Sequence, residues 1–189
     1  MAPGPEMSDT QLDELDRSRR VLFPGLVRAV LSSTVILVAY FVLPLDRLAD
    51  LTPFVSLPAA LALFVLLLVA QLRAISRSAV PGVRAIEALA TSVPLLVVIF
   101  AGTYYVMGVT SPDWFSEGLS KLDSLYFAVT VFATVGFGDI TATAPGSRAA
   151  VTVQMAVDLL VIGIGLRVIL GAVQAARHRS GQRPPAVDP

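Results

Sequence analysis

Six consecutive residues, Thr134, Val135, Gly136, Phe137, Gly138 and Asp139, combine types and an alternation that suit one kind of chemistry, replacing the water around a small cation. Stripping such an ion in a low-dielectric medium costs on the order of tens of kcal/mol, so a protein that passes it must supply substitute oxygens. Backbone carbonyls are the nearest supply. Aiming successive carbonyls at one axis requires conformations that ordinary L-residues avoid, and Gly136 and Gly138 are free to take positive φ. Val135 and Phe137, set between and beside them, can turn away from that axis and pack on a preceding helix. Thr134 adds a hydroxyl at the inner end and Asp139 a carboxylate at the outer mouth.

Other chemistries are poorly served. The chain has no Cys, which excludes disulfides, thiolate metal sites and thiol nucleophiles, and its one histidine, His178, lies in a basic tail. Neither HExxH nor a GxxxxGK phosphate loop occurs, and GIGLRVILG lacks the preceding strand that a dinucleotide fingerprint needs. The spans described below carry no clustered His, Cys or paired carboxylates, so no enzyme is expected and no cofactor is implied. Fourteen Lys and Arg balance fourteen Asp and Glu without a long block of one sign, which argues against a nucleic-acid partner.

The elements that must position the loop are membrane helices. Of the 189 residues 55% are apolar and 15% charged, and a mean hydropathy of +0.75 lies outside the soluble range. Four apolar segments approach the roughly 20 residues needed to cross a bilayer, at about 26–44, 51–72, 88–108 and 149–171. Pro94 predicts a kink in the third that neighbouring helices must accommodate. All four are expected to be α-helical, because lipid cannot satisfy an open backbone and no alternating barrel pattern recurs. With an even number of spans, Arg17, Arg19, Arg20, Arg73, Arg77, Arg84, Arg177, Arg179 and Arg183 fall on one side and only Arg47, Lys121 and Arg148 on the other. Both termini are therefore expected to be cytoplasmic, in a multi-pass cell-membrane protein. Arg28 and Arg167 are read as snorkelling cations. Tyr40, Phe41, Tyr104 and Tyr105 are read as ordinary aromatic interface anchors.

Residues 120–145 break this pattern, being too apolar for an aqueous loop and too short to span. Ser120 and Asp123 have the S-x-x-D spacing of a helix start, and 124–133 makes a helix of about three turns, roughly half a bilayer deep. Non-helical backbone at that depth is tolerated only inside protein or along a water-filled path, so TVGFGD reads as a re-entrant loop. The organisation expected is a cytoplasmic arm over 1–20, two membrane helices and a basic linker over 21–84, a pore unit over 85–178 and a cytoplasmic tail over 179–189. Only ten residues follow Arg179, so no cytosolic ligand-binding domain is expected after it in this chain.

On the filter signature TVGFGD, the short helix before it and the glycine-bearing span after it, residues 88–171 resemble the potassium channel pore-domain family. That resemblance implies a homotetramer with fourfold symmetry, one loop per chain. The carbonyls of Thr134, Val135, Gly136 and Phe137, with the Thr134 hydroxyl, then replace the hydration shell of potassium, and Gly138 completes the filter. Potassium is the permeant ion, not a cofactor. Phe137 stands where Tyr is more frequent, and Thr130 occupies a pore-helix position where some members carry Glu, leaving Tyr126 to bond Asp139 as filter support. Family spacing sets Asp158 near the inner-helix hinge and Leu159, Ile162 and Leu166 toward the cavity. An acid in mid-span costs about 2.5–3.5 kcal/mol on insertion scales, and Asp158 is either a buried structural acid or a cavity charge. Gly163, Gly165 and Gly171 are either hinge residues or small residues for close packing. The first two spans lack repeated arginines, so voltage sensing is not expected. Besides the lipid bilayer and further copies of the chain, anionic lipid is a candidate contact for the basic cytoplasmic ends. The whole is an all-α integral membrane fold of four transmembrane helices plus a re-entrant pore helix and filter loop, expected to conduct potassium selectively. The alternatives are a weakly selective sodium and potassium channel, or a non-conducting regulatory membrane subunit.

Overall fold

The computed structural model describes residues 9–45, 53–76 and 81–181. Five α-helices account for most of them: α1 (Asp9–Val42), α2 (Pro53–Ser76), α3 (Pro81–Thr110), α4 (Lys121–Phe132) and α5 (Pro145–Gly181), with a 3-10 turn at Pro112–Trp114. Among the described residues the only β-pairing is one antiparallel bridge, Phe115 to Ala142. The fold is an all-helical membrane architecture. Among the described residues three helices are long and apolar enough to cross a bilayer, through Leu57–Ile75, Glu87–Thr110 and Pro145–Arg167, while the apolar part of α1, Val27–Val42, is shorter. Helix α1 is continuous from Asp9, so part of the polar stretch read as an arm is helical and joined without a break to the first apolar segment. Arg47, Arg77 and Arg183, three residues of the orientation argument, lie outside the described residues, as do 1–8 and 182–189 of the two expected tails.

Helix α3 is the hub, packed against each of the other four helices. Its buried Leu96, Phe100, Tyr104 and Met107 recur at helical spacing, so one stripe faces inward along its length. Phe64 of α2, Tyr40 of α1, Phe127 of α4 and Val161 of α5 reach the same core. Lipid is as apolar as these side chains, so between membrane helices close packing and polar bonds replace the usual hydrophobic drive. Pro94 illustrates this. It lies inside α3 and has no N–H to offer the carbonyl of Ala90 one turn earlier, and that carbonyl instead accepts from Ser33 Oγ of α1 at 2.7 Å. Next to it, the Ser32 and Thr91 hydroxyls are 3.1 Å apart.

Two of the aromatic residues read as interface anchors are core residues instead. Tyr104 is fully buried, with Phe127 at 5.2 Å and Phe115 at 5.8 Å between ring centroids, both edge to face. Tyr40 is 3% exposed and hydrogen-bonded to α4. A tyrosine near the end of an apolar span fits the membrane interface or a neighbouring helix equally well, and here a helix stands beside each.

The candidate pore loop

Helix α4 begins where local chemistry says it should. Ser120 Oγ accepts from the Asp123 amide at 3.2 Å and the Asp123 carboxylate accepts from the Ser120 amide at 3.0 Å, a reciprocal box that satisfies two otherwise unpaired donors. These bonds hold the Asp123 carboxyl below the usual carboxylate range. The helix starts three residues before the expected 124 because the cap lies immediately ahead of Lys121. It ends at Phe132, and the chain folds back on its last turn: Thr134 N–H donates to the Val131 carbonyl at 3.0 Å. Val135 and Gly136 both donate to the carbonyl of Thr130, at 3.0 and 3.3 Å. The carbonyls that a helix C-terminus leaves open thus anchor the loop.

Through the loop, φ is positive at every second residue: 56° at Thr134, 53° at Gly136 and 80° at Gly138. Nothing lies within 4 Å of a Cβ built on Gly136 or Gly138, so φ rather than space calls for glycine there. Thr134 went unnoticed in the sequence as a third such position. A β-branched residue in that region is strained by about 1–3 kcal/mol and persists only where its surroundings hold it. The bonds to Val131 and Thr130 on either side of Thr134 do so.

The outer end is held separately. Tyr126 Oη donates to Asp139 Oδ2 at 2.6 Å, and the Tyr126 ring lies parallel to Phe137, 2° between planes at 6.4 Å. The phenol keeps the Asp139 carboxyl below its usual range, and the carboxylate in turn raises the Tyr126 hydroxyl. Beyond Asp139 the chain is laced to the segment before α4. Ser116 N–H donates to Thr141 O at 2.9 Å, Thr143 N–H to Trp114 O at 3.0 Å and Ser147 Oγ to Trp114 O at 2.6 Å. Val135 and Phe137 remain 52% and 70% exposed within one chain.

Beneath α4 sits a polar connection that the sequence reading missed. The Tyr104 hydroxyl donates to Gln154 Oε1 at 2.5 Å, and Gln154 Nε2 donates to the Ala128 carbonyl at 2.9 Å, so one amide ties α3, α4 and α5 together. Its signal was a single amide in an apolar span, one turn before Asp158. Asp158 is only 3% exposed, is turned into the protomer, and among the described residues has no hydrogen-bond partner on either carboxylate oxygen. Leu159, Ile162 and Leu166 stand on the outer face of α5, 44–68% exposed. A Cβ on Gly165 would meet Leu89 of α3 at 2.8 Å, whereas Gly163 and Gly171 have open space around them. Close helix approach therefore explains Gly165 and neither of the others. Among the described residues no group of His, Cys, Asp and Glu side chains gathers as a metal site would require.

Half-length helix, folded-back loop and flanking apolar helices are the architecture of a multi-pass membrane protein. Residues 92–175, a little under half of the chain, match the model of a family described as "Ion channel". Over 68 residues, 36% of the chain, the sequence is 37% identical to human "Potassium channel subfamily T member 1". The chain spans about 5% of that relative's length, and no solved structure matches it. Both matches support the resemblance of this stretch to the potassium channel pore-domain family.

Proposed function

We propose that the chain forms a homotetrameric, potassium-selective channel that conducts passively, with no covalent step. The observation that carries this reading is the loop itself, where positive φ at Thr134, Gly136 and Gly138 alternates with Val135 and Phe137 at the end of a capped half-length helix. Left-handed φ at every second residue turns consecutive carbonyls to the same side, the arrangement a dehydrated cation needs. In this reading the carbonyls of Thr134, Val135, Gly136 and Phe137 and the Thr134 hydroxyl coordinate potassium. Gly138 and Asp139 form the outer mouth, and Tyr126 braces it. The half-exposed Val135 and Phe137 support the tetramer, since a loop that encircles an ion needs flanking copies to cover its outer side. Leu159, Ile162 and Leu166, on the exposed face of α5, line the inner cavity in such an assembly. Four spans with both termini in the cytoplasm remain the topology proposed from the arginine distribution, with basic ends beside anionic lipid.

The test is potassium flux into liposomes containing the purified full chain, with sodium as comparison and Gly136→Ala as control. Potassium-selective flux lost on that substitution is the expected result. Equal sodium and potassium flux would retain the pore and overturn its selectivity. Absence of flux across gating conditions would favour a non-conducting subunit. Native mass measurement of the detergent-solubilised protein, expected at four chains, tests the assembly.

A further inference from the structure

The first helix lies outside the matched pore segment, yet it holds the start of the pore helix. Helix α1 ends at Val42, and its last carbonyls have no partners within the helix. Lys121, the first residue of α4, donates from Nζ to one of them, Phe41 O at 3.0 Å, and to Leu43 O just beyond the helix at 2.7 Å. A cation is favoured at this negative end of the helix dipole. In return, buried Tyr40 donates from its hydroxyl to the backbone carbonyl of Lys121 at 2.7 Å. The clasp is reciprocal, side chain to backbone in both directions, and it closes at the residue beside the Ser120 cap. At the far end of α4, twelve residues long, the Thr130 carbonyl holds Val135 and Gly136. A short rod thus has α1 fastened at one end and the loop at the other. Helix α1 is also fastened to α3 through Ser33 and Ala90, one residue from Leu89, which touches Gly165 of α5.

We propose that Tyr40 and Lys121 are positioning residues for the filter, through which the first helix sets the placement of the pore helix and so the selectivity of the loop. This rests on the reading of the chain as a potassium channel. Lys121 carries both halves of the clasp, its side chain on α1 and its carbonyl under Tyr40, so loss of either contact frees the same end of the rod. A small tilt there displaces Thr130, and with it the anchored amides of Val135 and Gly136, at the distance over which ion coordination discriminates.

The experiment compares the full chain with Tyr40→Phe, Lys121→Met and Lys121→Arg in liposomes. The readouts are the potassium-to-sodium flux ratio and the hydrogen exchange of residues 121–139 in potassium against sodium. The expected outcome is a flux ratio reduced about fivefold by Tyr40→Phe and further by Lys121→Met, as loss of one or two strong hydrogen bonds would give. Lys121→Arg, which keeps the cation, should hold the ratio near that of the unaltered chain. Potassium-dependent protection of the loop should shrink in the same order. Unaltered protein that is selective, with variants that melt earlier yet keep the same ratio and protection, would reduce the clasp to packing and overturn the proposal. Unaltered protein showing neither flux nor potassium-dependent protection would overturn the channel reading and the proposal together. If Lys121→Met does not assemble, Tyr40→Phe, which removes one oxygen and keeps the ring edge-on to Phe41, carries the test.

Discussion

The inner and outer sides of the pore loop are supported in opposite ways. Beneath it, Ala128 and Gln154 are fully buried, Thr130 is 7% exposed, and Tyr104, Phe115 and Phe127 close around them edge to face. On the loop itself Val135 and Phe137 are more than half exposed, and Leu159 and Leu166 of α5 are exposed to a similar degree. One chain therefore completes the foundation of the loop but not its surroundings. The foundation is polar as well as apolar, and its polar part is uneven. Gln154 satisfies both neighbours it reaches, while Asp158, one turn later, satisfies nothing.

The comparison breaks most sharply at the glycines. Gly136→Ala and Gly138→Ala add a methyl group into open space and so test φ alone. In the proposed tetramer, strain of about 1–3 kcal/mol in each of four copies predicts loss of the proposed selective potassium flux by at least about a hundredfold, with the mass of the assembly by native measurement unchanged. Gln154→Leu acts on the foundation. It leaves the Tyr104 hydroxyl buried without its partner and takes from the Ala128 carbonyl the second bond it accepts beside its helical one, and a destabilisation of about 1–3 kcal/mol is expected, read as a lower melting temperature in detergent. Asp158→Leu is its opposite. Removing an unpartnered buried acid should stabilise the protein by about 2–3 kcal/mol in the same assay. Destabilisation there instead would mean that the carboxylate has a partner in the assembly.

The smallest effect concerns the outer mouth. With the Asp139 carboxyl lowered by Tyr126, the folded state holds fewer protons on this group than the unfolded chain. The bond's contribution is therefore complete above the ordinary aspartate range and is lost only as pH falls through the lowered value. The raised Tyr126 hydroxyl sets the other limit: the contribution is complete below the ordinary tyrosine range and is lost as pH rises through the raised value. Tyr126→Phe should move the acid-side decline of potassium flux to higher pH, toward the unperturbed aspartate range. An unchanged acid limb in the variant would detach this pair from conduction.

Much of the fold and the loop was legible because the signals are local. Apolar run length marked α2, α3 and α5, the Ser120 and Asp123 spacing marked the start of α4, and two glycines marked positions of positive φ. The third such position, Thr134, was not legible, because its residue type disfavours the conformation and the bonds that the loop amides donate to the Thr130 and Val131 carbonyls hold it there. Tyr40 and Tyr104 were misread as interface anchors for a related reason, since their environment depends on which helix stands beside them.

The sequence by itself determined that this is a helical membrane protein with a glycine-bearing loop behind a short capped helix. Span length, capping and φ freedom are properties of neighbouring residues. Only the tertiary structure decided that Gln154 links three helices, that Ser33 serves the carbonyl freed by Pro94, that Asp158 points inward without a partner among the described residues, and that Tyr40 and Lys121 join α1 to α4. Each of these depends on groups far apart in the chain, and polar groups in an apolar medium take whichever partner the packing of helices brings within reach.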